Sequence, residues 1–355
     1  MNHDLAHKTF HNILVIKPSS LGDVVRCLPI LHGLRIRYPA ARISWLIRPD
    51  CAPVLHHQPR LTLLPFDRRL LGRALHSPRA ARELLSLLNS LYNNHFDLVL
   101  DLQGLFRSAF FSLVAAPARL GFAHAREFAP CFYTHRITLP RRPEHVVHSY
   151  YRFAHALGFD HIPLEFPLTP DPDALAEANN LLLYHQLSLE SPFVVLLIGG
   201  TSAEKRWPAE RFAQLAEEIH RRHHLPAVLL GAGPTERDAA HTLCRHTHAP
   251  VANLVDKSSL PQAIAILARA RCVIGNDSGP LHLAAALGTP LLGLYGPTDP
   301  TVVGPFGQLH HVLQAGPNAP RTGRYSEHPD HKMTQITVPQ AFTNLETHIL
   351  SPQAT

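Results

Sequence analysis

Short apolar runs alternate with longer stretches of helical periodicity along most of this chain. Ile13-Leu14-Val15-Ile16 is the first run. Its uninterrupted aliphatic character predicts a strand buried on both faces, as parallel strands are. A loop, Lys17 to Asp23, follows. Val24 to Arg37 then carries a helical pattern that ends before Tyr38-Pro39, and Ile43 to Ile47 is the next strand. This βαβ order opens an α/β sheet. The alternation continues with a helix over 79–91, a strand Leu98-Val99-Leu100 ended by Asp101-Leu102-Gln103-Gly104, and helical stretches over 107–115 and 148–157.

Pro163, Pro167, Pro170 and Pro172 then crowd one segment, which reads as a linker. Beyond it the alternation restarts. Strands are predicted over 193–198, 227–230, 272–274 and 291–294. Helices are predicted over 209–222, 235–246, 261–268, 281–287 and 338–349, and 315–332 is polar and irregular. The pattern therefore predicts two similar α/β domains, 1–170 and 171–335, followed by a closing segment, 336–355.

Composition narrows the class. The 355 residues are 45% hydrophobic and 17% charged, a globular balance that excludes a disordered chain. No apolar stretch is long enough to suggest a membrane span, and the polar first twelve residues do not read as a signal peptide. Five scattered cysteines, none in a C-x-x-C pair, suit reduced thiols in a cytoplasm. The formal charge of +6 and the 27 histidines favour an anionic partner. Aromatic residues are only 7% and no reading motif is present, which argues against nucleic acid.

Three loops between a strand and a helix could carry chemistry. In the first, Ser19, Ser20 and the Gly22 backbone offer small donors, and Asp23 opens a helix. Spacing favours reading Asp23 as an N-terminal cap; the functional reading is a carboxylate general base, and the roles can coexist. In the second, Gly199-Gly200-Thr201-Ser202 precedes Lys205, Arg206 and Pro208; hydroxyls and cations could hold a diphosphate, or the loop could simply be solvated. In the third, Asn276-Asp277-Ser278-Gly279-Pro280 leads into a helix containing His282. Free N–H groups there suit a phosphate, the plainer reading being a strand–helix turn with a cap.

Other features point elsewhere. Gly231-Ala232-Gly233 begins a dinucleotide fingerprint, but Glu236 stands where the third glycine belongs, which disfavours a nicotinamide enzyme. His241, Cys244, His246 and His248, and likewise His220, His223 and His224, lack zinc-finger spacing, and the same holds for His328 and His331, so no metal site is expected. Arg60, Arg68, Arg69, Arg73, Arg79 and Arg82 form a basic stretch, either a solvated face or a docking surface for an anionic acceptor.

The segments ILVIKPSSLGDVV, FDLVLDLQGLFRSA, RLGFAHAREFAPCFYTHRI, GTSAEKRWP and GNDSGPLHLAAALGTPLLGLYGPTDP together resemble the family 9 glycosyltransferases, the lipopolysaccharide heptosyltransferases. The stretch from Arg119 to Arg136 is most similar to the heptosyltransferase I branch, and the G-N-D-S-G signature to the heptosyltransferase II branch. The resemblance implies a GT-B fold: two Rossmann-like domains with parallel sheets facing a cleft, and a C-terminal helix crossing back to the N-terminal domain. It implies inverting, metal-independent transfer of heptose from ADP-L-glycero-D-manno-heptose to a phosphorylated, lipid-linked inner-core saccharide. The work would be done in the cytoplasm, peripherally on the inner membrane.

The residue roles implied follow motif by motif. Asp23 matches the family's catalytic aspartate and Lys205 its sugar-nucleotide lysine. Thr201 or Ser202 matches the hydroxyl residue before that lysine. Asp277, Ser278, Gly279 and His282 match the donor motif, and Glu236 the acidic residue near the adenosine. Lys17, Ser19, Ser20, Gly22, Arg60 and Arg126 are the expected acceptor and anion contacts. The chain departs from heptosyltransferase I after Trp45, where Leu46-Ile47-Arg48-Pro49-Asp50 stands in place of an acidic pair, so the acceptor stays open. So do protein partners. Two rivals remain: a GT-B transferase or epimerase for another nucleotide sugar, and a non-catalytic basic membrane-associated module.

Overall fold

The structure is a computed structural model that describes residues 5–67, 72–316 and 332–350. The chain divides into two compact units, Met1–Pro167 and Leu168–Thr355. In the first, the order is β1 (Asn12–Ile16), α1 (Leu21–Arg26), α2 (Leu28–Arg37), β2 (Arg42–Ile47), β3 (Leu61–Pro65), α3 (Pro78–Asn93), β4 (Leu98–Asp101), α4 (Phe106–Ala115), β5 (Ala118–Phe122), β6 (His135–Ile137) and α5 (Val146–Ala156). In the second it is α6 (Pro172–Tyr184), β7 (Val194–Leu197), α7 (Ala209–His223), β8 (Ala227–Leu230), α8 (Pro234–Arg245), β9 (Val251–Asn253), α9 (Leu260–Arg269), β10 (Cys272–Asn276), α10 (Gly279–Ala286), β11 (Leu291–Tyr295), α11 (Pro300–Val303), β12 (Val312–Gln314) and α12 (Val338–Leu345).

Each unit holds a six-stranded sheet with the same winding. The strand orders are β3-β2-β1-β4-β5-β6 and β12-β11-β10-β7-β8-β9, and every pair is parallel. The order reverses between β1 and β4 in one unit and between β7 and β10 in the other. Such switch points, at the carboxyl edge of the strands, are where doubly wound sheets bind ligands.

The central strands are buried on both faces. Ile13, Leu14, Val15 and Ile16 show no exposure, nor do Val194, Val195 and Leu196. Each such side chain is worth about 1.5–3 kcal/mol relative to leaving it in water. Helices cover the sheets with one apolar stripe each. Helix α7 buries Phe212, Leu215, Ala216 and Ile219, at three- and four-residue spacing, and ends where His224 turns left-handed.

Two boundaries differ from the periodicity. The helix expected over 24–37 is two helices meeting at Cys27, because Pro29 has no N–H to continue the first. The units divide within the proline-rich segment, after Pro167, but its last proline, Pro172, already starts α6, and Asp171 caps that helix by accepting from the N–H groups of Asp173 and Ala174 at 3.3 Å each. The closing helix, α12, buries Ala341, Phe342 and Leu345 in the core of the second unit, alongside Ile219 and Leu225.

Candidate functional site

In the first unit, the loop leaving β1 at the switch point is tied from several sides. Lys17 is buried. Its ammonium donates to the Leu102 carbonyl beyond β4 at 3.2 Å, stands 5.0 Å from the Tyr150 ring centroid on α5, and lies 4.0 Å from Asp23 Oδ2. Asp23 sits in the first turn of α1, where its Oδ2 accepts from Ser20 Oγ at 3.1 Å and from the Ser20 N–H at 3.4 Å, while Oδ1 accepts from Arg26 at 3.2 Å. The carboxylate therefore does steady the helix start. Its side chain remains 28% exposed. Burial works to raise its pKa, but the Lys17 ammonium, then the Arg26 guanidinium and the Ser20 donors, outweigh it and hold the carboxyl below its ordinary value. Asp23 is thus ionised throughout the neutral range.

A small pocket of about 60 Å³ opens at the same sheet edge, lined by Ser19, Arg48, Phe66, Gln103, Arg107 and Ser108 among others. Gln103 is held by Asp101, whose buried Oδ1 accepts from the Gln103 and Gly104 N–H groups at 3.0 and 3.1 Å. Asp101 also accepts from the Tyr133 hydroxyl at 2.7 Å. That ring lies where a Cβ on Gly121 would stand, 2.2 Å from its nearest atom, so only glycine fits there.

The second unit converges more tightly. At the β7/β10 switch point, Lys205 Nζ donates to Asp277 Oδ2 at 2.6 Å. The same oxygen accepts from Thr298 Oγ1 at 2.9 Å, and Oδ1 lies 3.7 Å from His282 Nε2. Burial would raise the Asp277 pKa, but His282 and Lys205 together hold it far below the usual carboxylate range. Asn276 joins the loops: it accepts from the Trp207 N–H at 3.0 Å and donates to the carbonyls of Ile198 and Gly199 at 3.1 and 2.9 Å. Glu236 folds over Gly199, where a Cβ would come 2.5 Å from its Oε1. The hydroxyls of Ser202 and Ser278 are buried and find no partner among the described residues. Ser278 occupies the N-cap position of α10 without a side-chain cap bond, and the start of that helix lies at the same edge.

A family model, "Glycosyltransferase family 9 (heptosyltransferase)", matches residues 84–329. The chain belongs to glycosyltransferase family 9. It is 26% identical over 307 residues to the lipopolysaccharide core heptosyltransferase OpsX of Haemophilus influenzae, covering 85% of this chain and 84% of that one. It is 28% identical over 303 residues to lipopolysaccharide heptosyltransferase 1 of Salmonella typhimurium, covering 83% and 92%. The structure of the E. coli heptosyltransferase WaaC with ADP-2-deoxy-2-fluoro heptose superposes with a TM-score of 0.75 at 26% identity, covering 95% of this chain and 99% of that one. This family 9 chain is accordingly a glycosyltransferase of GT-B architecture, as its motifs led one to expect.

The family 9 motif residues fall into two groups. Lys205, Ser202, Glu236, Asp277, Ser278, Gly279 and His282 gather at one sheet edge, with Thr201 exposed on the loop beside them. Lys17, Ser19, Ser20, Gly22 and Asp23 gather at the other sheet's carboxyl edge, where Arg126 also lies, its N–H bonded to the Gly104 carbonyl at 3.2 Å. Arg60 does not join them. It precedes β3, so it stands at the amino edge, where its guanidinium donates to the Pro39 carbonyl at 3.3 Å. Arg68, Arg69, His328, His331 and most of 315–332 lie outside the described residues. Among the described residues no three His, Cys, Asp or Glu side chains are grouped to hold a metal, and no helix is long and apolar enough to cross a membrane.

Sequence reasoning missed Arg107, Tyr150 and Thr298 as site residues and passed Arg48 and Gln103 without a role. Arg48 and Gln103 each follow the end of a strand, a signal that was available. Tyr150 lies within α5 and carried none.

Proposed function

We propose that the chain transfers L-glycero-D-manno-heptose from ADP-heptose to a phosphorylated lipopolysaccharide inner-core acceptor, with inversion and without a metal, peripherally at the cytoplasmic face of the inner membrane. The observation that carries the donor half is the Lys205–Asp277 pair at the switch point, flanked by the partnerless hydroxyls of Ser202 and Ser278. A carboxylate facing a diphosphate would repel it, so Asp277 acts by fixing Lys205 and His282. The ammonium keeps two N–H donors for the diphosphate. With the α10 amides, it would stabilise the charge that builds as ADP leaves, a role metals fill elsewhere. Glu236 and Thr201 would meet the nucleoside and diphosphate beside it.

At the other half, Asp23 takes the proton of the acceptor hydroxyl as its oxygen bonds to the anomeric carbon and the carbon–oxygen bond to ADP breaks. Ser19, Ser20, Arg126 and the Arg48–Arg107 pocket would position the acceptor and its anionic groups. Lys17, buried, acts on Asp23 rather than on the acceptor.

The test is to incubate the protein, and Asp23→Ala, with ADP-heptose and Kdo-lipid A in EDTA. Heptose-sized mass gain on the acceptor, with ADP release, both lost in the variant, supports the proposal. Binding of ADP-heptose without transfer keeps the donor and removes this acceptor. Neither binding nor transfer removes the heptosyl reading.

A further inference from the structure

Helix α4 has two faces. Ala109, Phe111, Ser112 and Ala115 are buried, while Phe106, Phe110 and Leu113 are 47, 37 and 45% exposed. These three follow one helical stripe. Phe128 extends it. That residue is 84% exposed on a left-handed backbone, φ 57°. It is joined to the stripe because Glu127 Oε2 accepts from the Phe106 N–H at 3.1 Å, and the Phe106 ring packs edge-on against Phe132 at 5.4 Å. A phenylalanine held in a strained conformation and left in water does nothing for the fold.

The charge along this stretch is mostly positive. Residues 106–136 contain Arg107, Arg119, Arg126 and Arg136 against a single acid, Glu127. Arg119 donates to the carbonyls of Phe132, Ala116 and Pro117, and among the described residues no acid pairs with it.

We propose that Phe106, Phe110, Leu113 and Phe128 form a docking face for an anionic lipid bilayer. The rings enter the headgroup boundary and the surrounding arginines meet lipid phosphates. The inference rests on the reading of the acceptor as lipid-linked. Continuity with the pocket favours it: Arg107, next to Phe106, lines the pocket that Ser19 and Gln103 share, so the face begins at the acceptor edge. A second copy of the chain fits less well, because a symmetric contact would set arginines against arginines.

The experiment compares the full chain with a Phe110→Ser/Leu113→Ser/Phe128→Ser variant, all exposed positions outside the catalytic groups. Each is sedimented with vesicles of phosphatidylcholine alone or with roughly a third phosphatidylglycerol. The parent should bind the anionic vesicles about tenfold or more tightly than the variant, less so in high salt, with little binding to phosphatidylcholine alone. Thermal unfolding and transfer to a soluble, deacylated acceptor should be unchanged. Equal vesicle binding by parent and variant, or none by the parent, overturns the proposal. So does a dimer of the parent, lost in the variant, without vesicle binding. If neither protein transfers heptose yet the variant alone loses vesicle binding, the transfer reading fails and the docking face stands.

Discussion

At the switch point of the first sheet, an ammonium stands 4.0 Å from a carboxylate: Lys17 and Asp23. At the switch point of the second, Lys205 touches Asp277 at 2.6 Å. The winding is the same and the residue types are the same, but the chemistry available differs. Asp277 Oδ2 is engaged by two donors, Lys205 and Thr298, and its side chain is only 8% exposed. Such a carboxylate cannot receive a proton from a substrate without giving up a partner. Asp23 Oδ2 also accepts from Ser20, but at the longer 3.1 and 3.4 Å; its side chain is 28% exposed and its lysine is held off, anchored to the Leu102 carbonyl and the Tyr150 ring. In the proposed reaction the first aspartate would take the proton and the second would hold a cation still.

Removing the base breaks the comparison most sharply. Asp23→Asn preserves the contact with Ser20 and so the helix start, but takes away the acceptor of the proton. Turnover should fall by about 10²–10⁴, the usual worth of a positioned base. The affinity for ADP-heptose should stay within about twofold, since the donor contacts lie in the other unit. Calorimetric titration beside a turnover assay checks both. A comparable loss of donor affinity would mean that Asp23 holds the donor instead.

Lys205→Ala should cost somewhat less in rate, about 10²–10³, as expected for one lost electrostatic donor, and should weaken donor binding as well. It has a second consequence. Asp277 is left buried without its cation, which should destabilise the fold by about 3 kcal/mol. Lys205→Ala with Asp277→Ala should recover most of that stability and none of the activity. Denaturant unfolding of the three variants measures the first, and initial rates the second. If the double variant is as unstable as the single, the ion pair is not what the lysine was stabilising.

How far these pairs were legible in the sequence follows from what each depends on. The loops were visible because ILVI, VVLL and CVI are uninterrupted aliphatic runs, buried on both faces, and small polar residues follow each. Strands lacking that signature were missed. β3 is half exposed and carries Pro65; β5 contains Gly121, whose missing side chain is filled by the Tyr133 ring; β6, β9 and β12 have three residues each. Without β3 and its place in the sheet, nothing told that Arg60 lies at the amino edge. In the same way, no local pattern could tell that Lys17 is buried under Tyr150, because that depends on which helix packs beside β1. The prolines of 163–172 mark the stretch where the two units divide, but the last of them, Pro172, starts α6: at a helix start, proline is a beginning and not a break.

Acidification should separate the pairs more gently. Both carboxyls are held below their ordinary value, Asp277 the more strongly. A depressed carboxyl contributes stability that is complete above the unfolded carboxylate range, about pH 4, and is lost as pH falls through its folded value. The unfolding temperature should thus hold steady from neutral pH to about 5 and drop below about 4. Asp277→Asn should lower the plateau and flatten the acid limb more than Asp23→Asn does. Thermal scans in steps across that window decide it; an acid limb untouched by Asp277→Asn would locate the acid sensitivity elsewhere.

The smallest expected effect concerns the element present in one pair and lacking in the other. The Tyr150 ring lies 5.0 Å from the Lys17 ammonium, while among the described residues no ring is seated over Lys205. A ring at that distance, away from water, is worth about 0.5–2 kcal/mol to the cation. Its hydroxyl also hydrogen-bonds the Lys17 side chain, so Tyr150 competes with Asp23 for the ammonium. Tyr150→Phe keeps the ring but loses the hydroxyl bonded to Lys17, and should cost about 0.5–1.5 kcal/mol of stability and change the rate by less than about threefold. Tyr150→Leu removes the attraction, destabilises the fold by about 1 kcal/mol, and lets Lys17 approach Asp23. A closer ammonium holds the carboxylate more tightly and makes it a weaker base, so the rate should fall by about three- to tenfold while donor affinity stays unchanged. The first pair would then resemble the second, a carboxylate committed to its lysine. Tyr150→Leu with full turnover would show that the 4.0 Å separation is set by the Leu102 carbonyl alone.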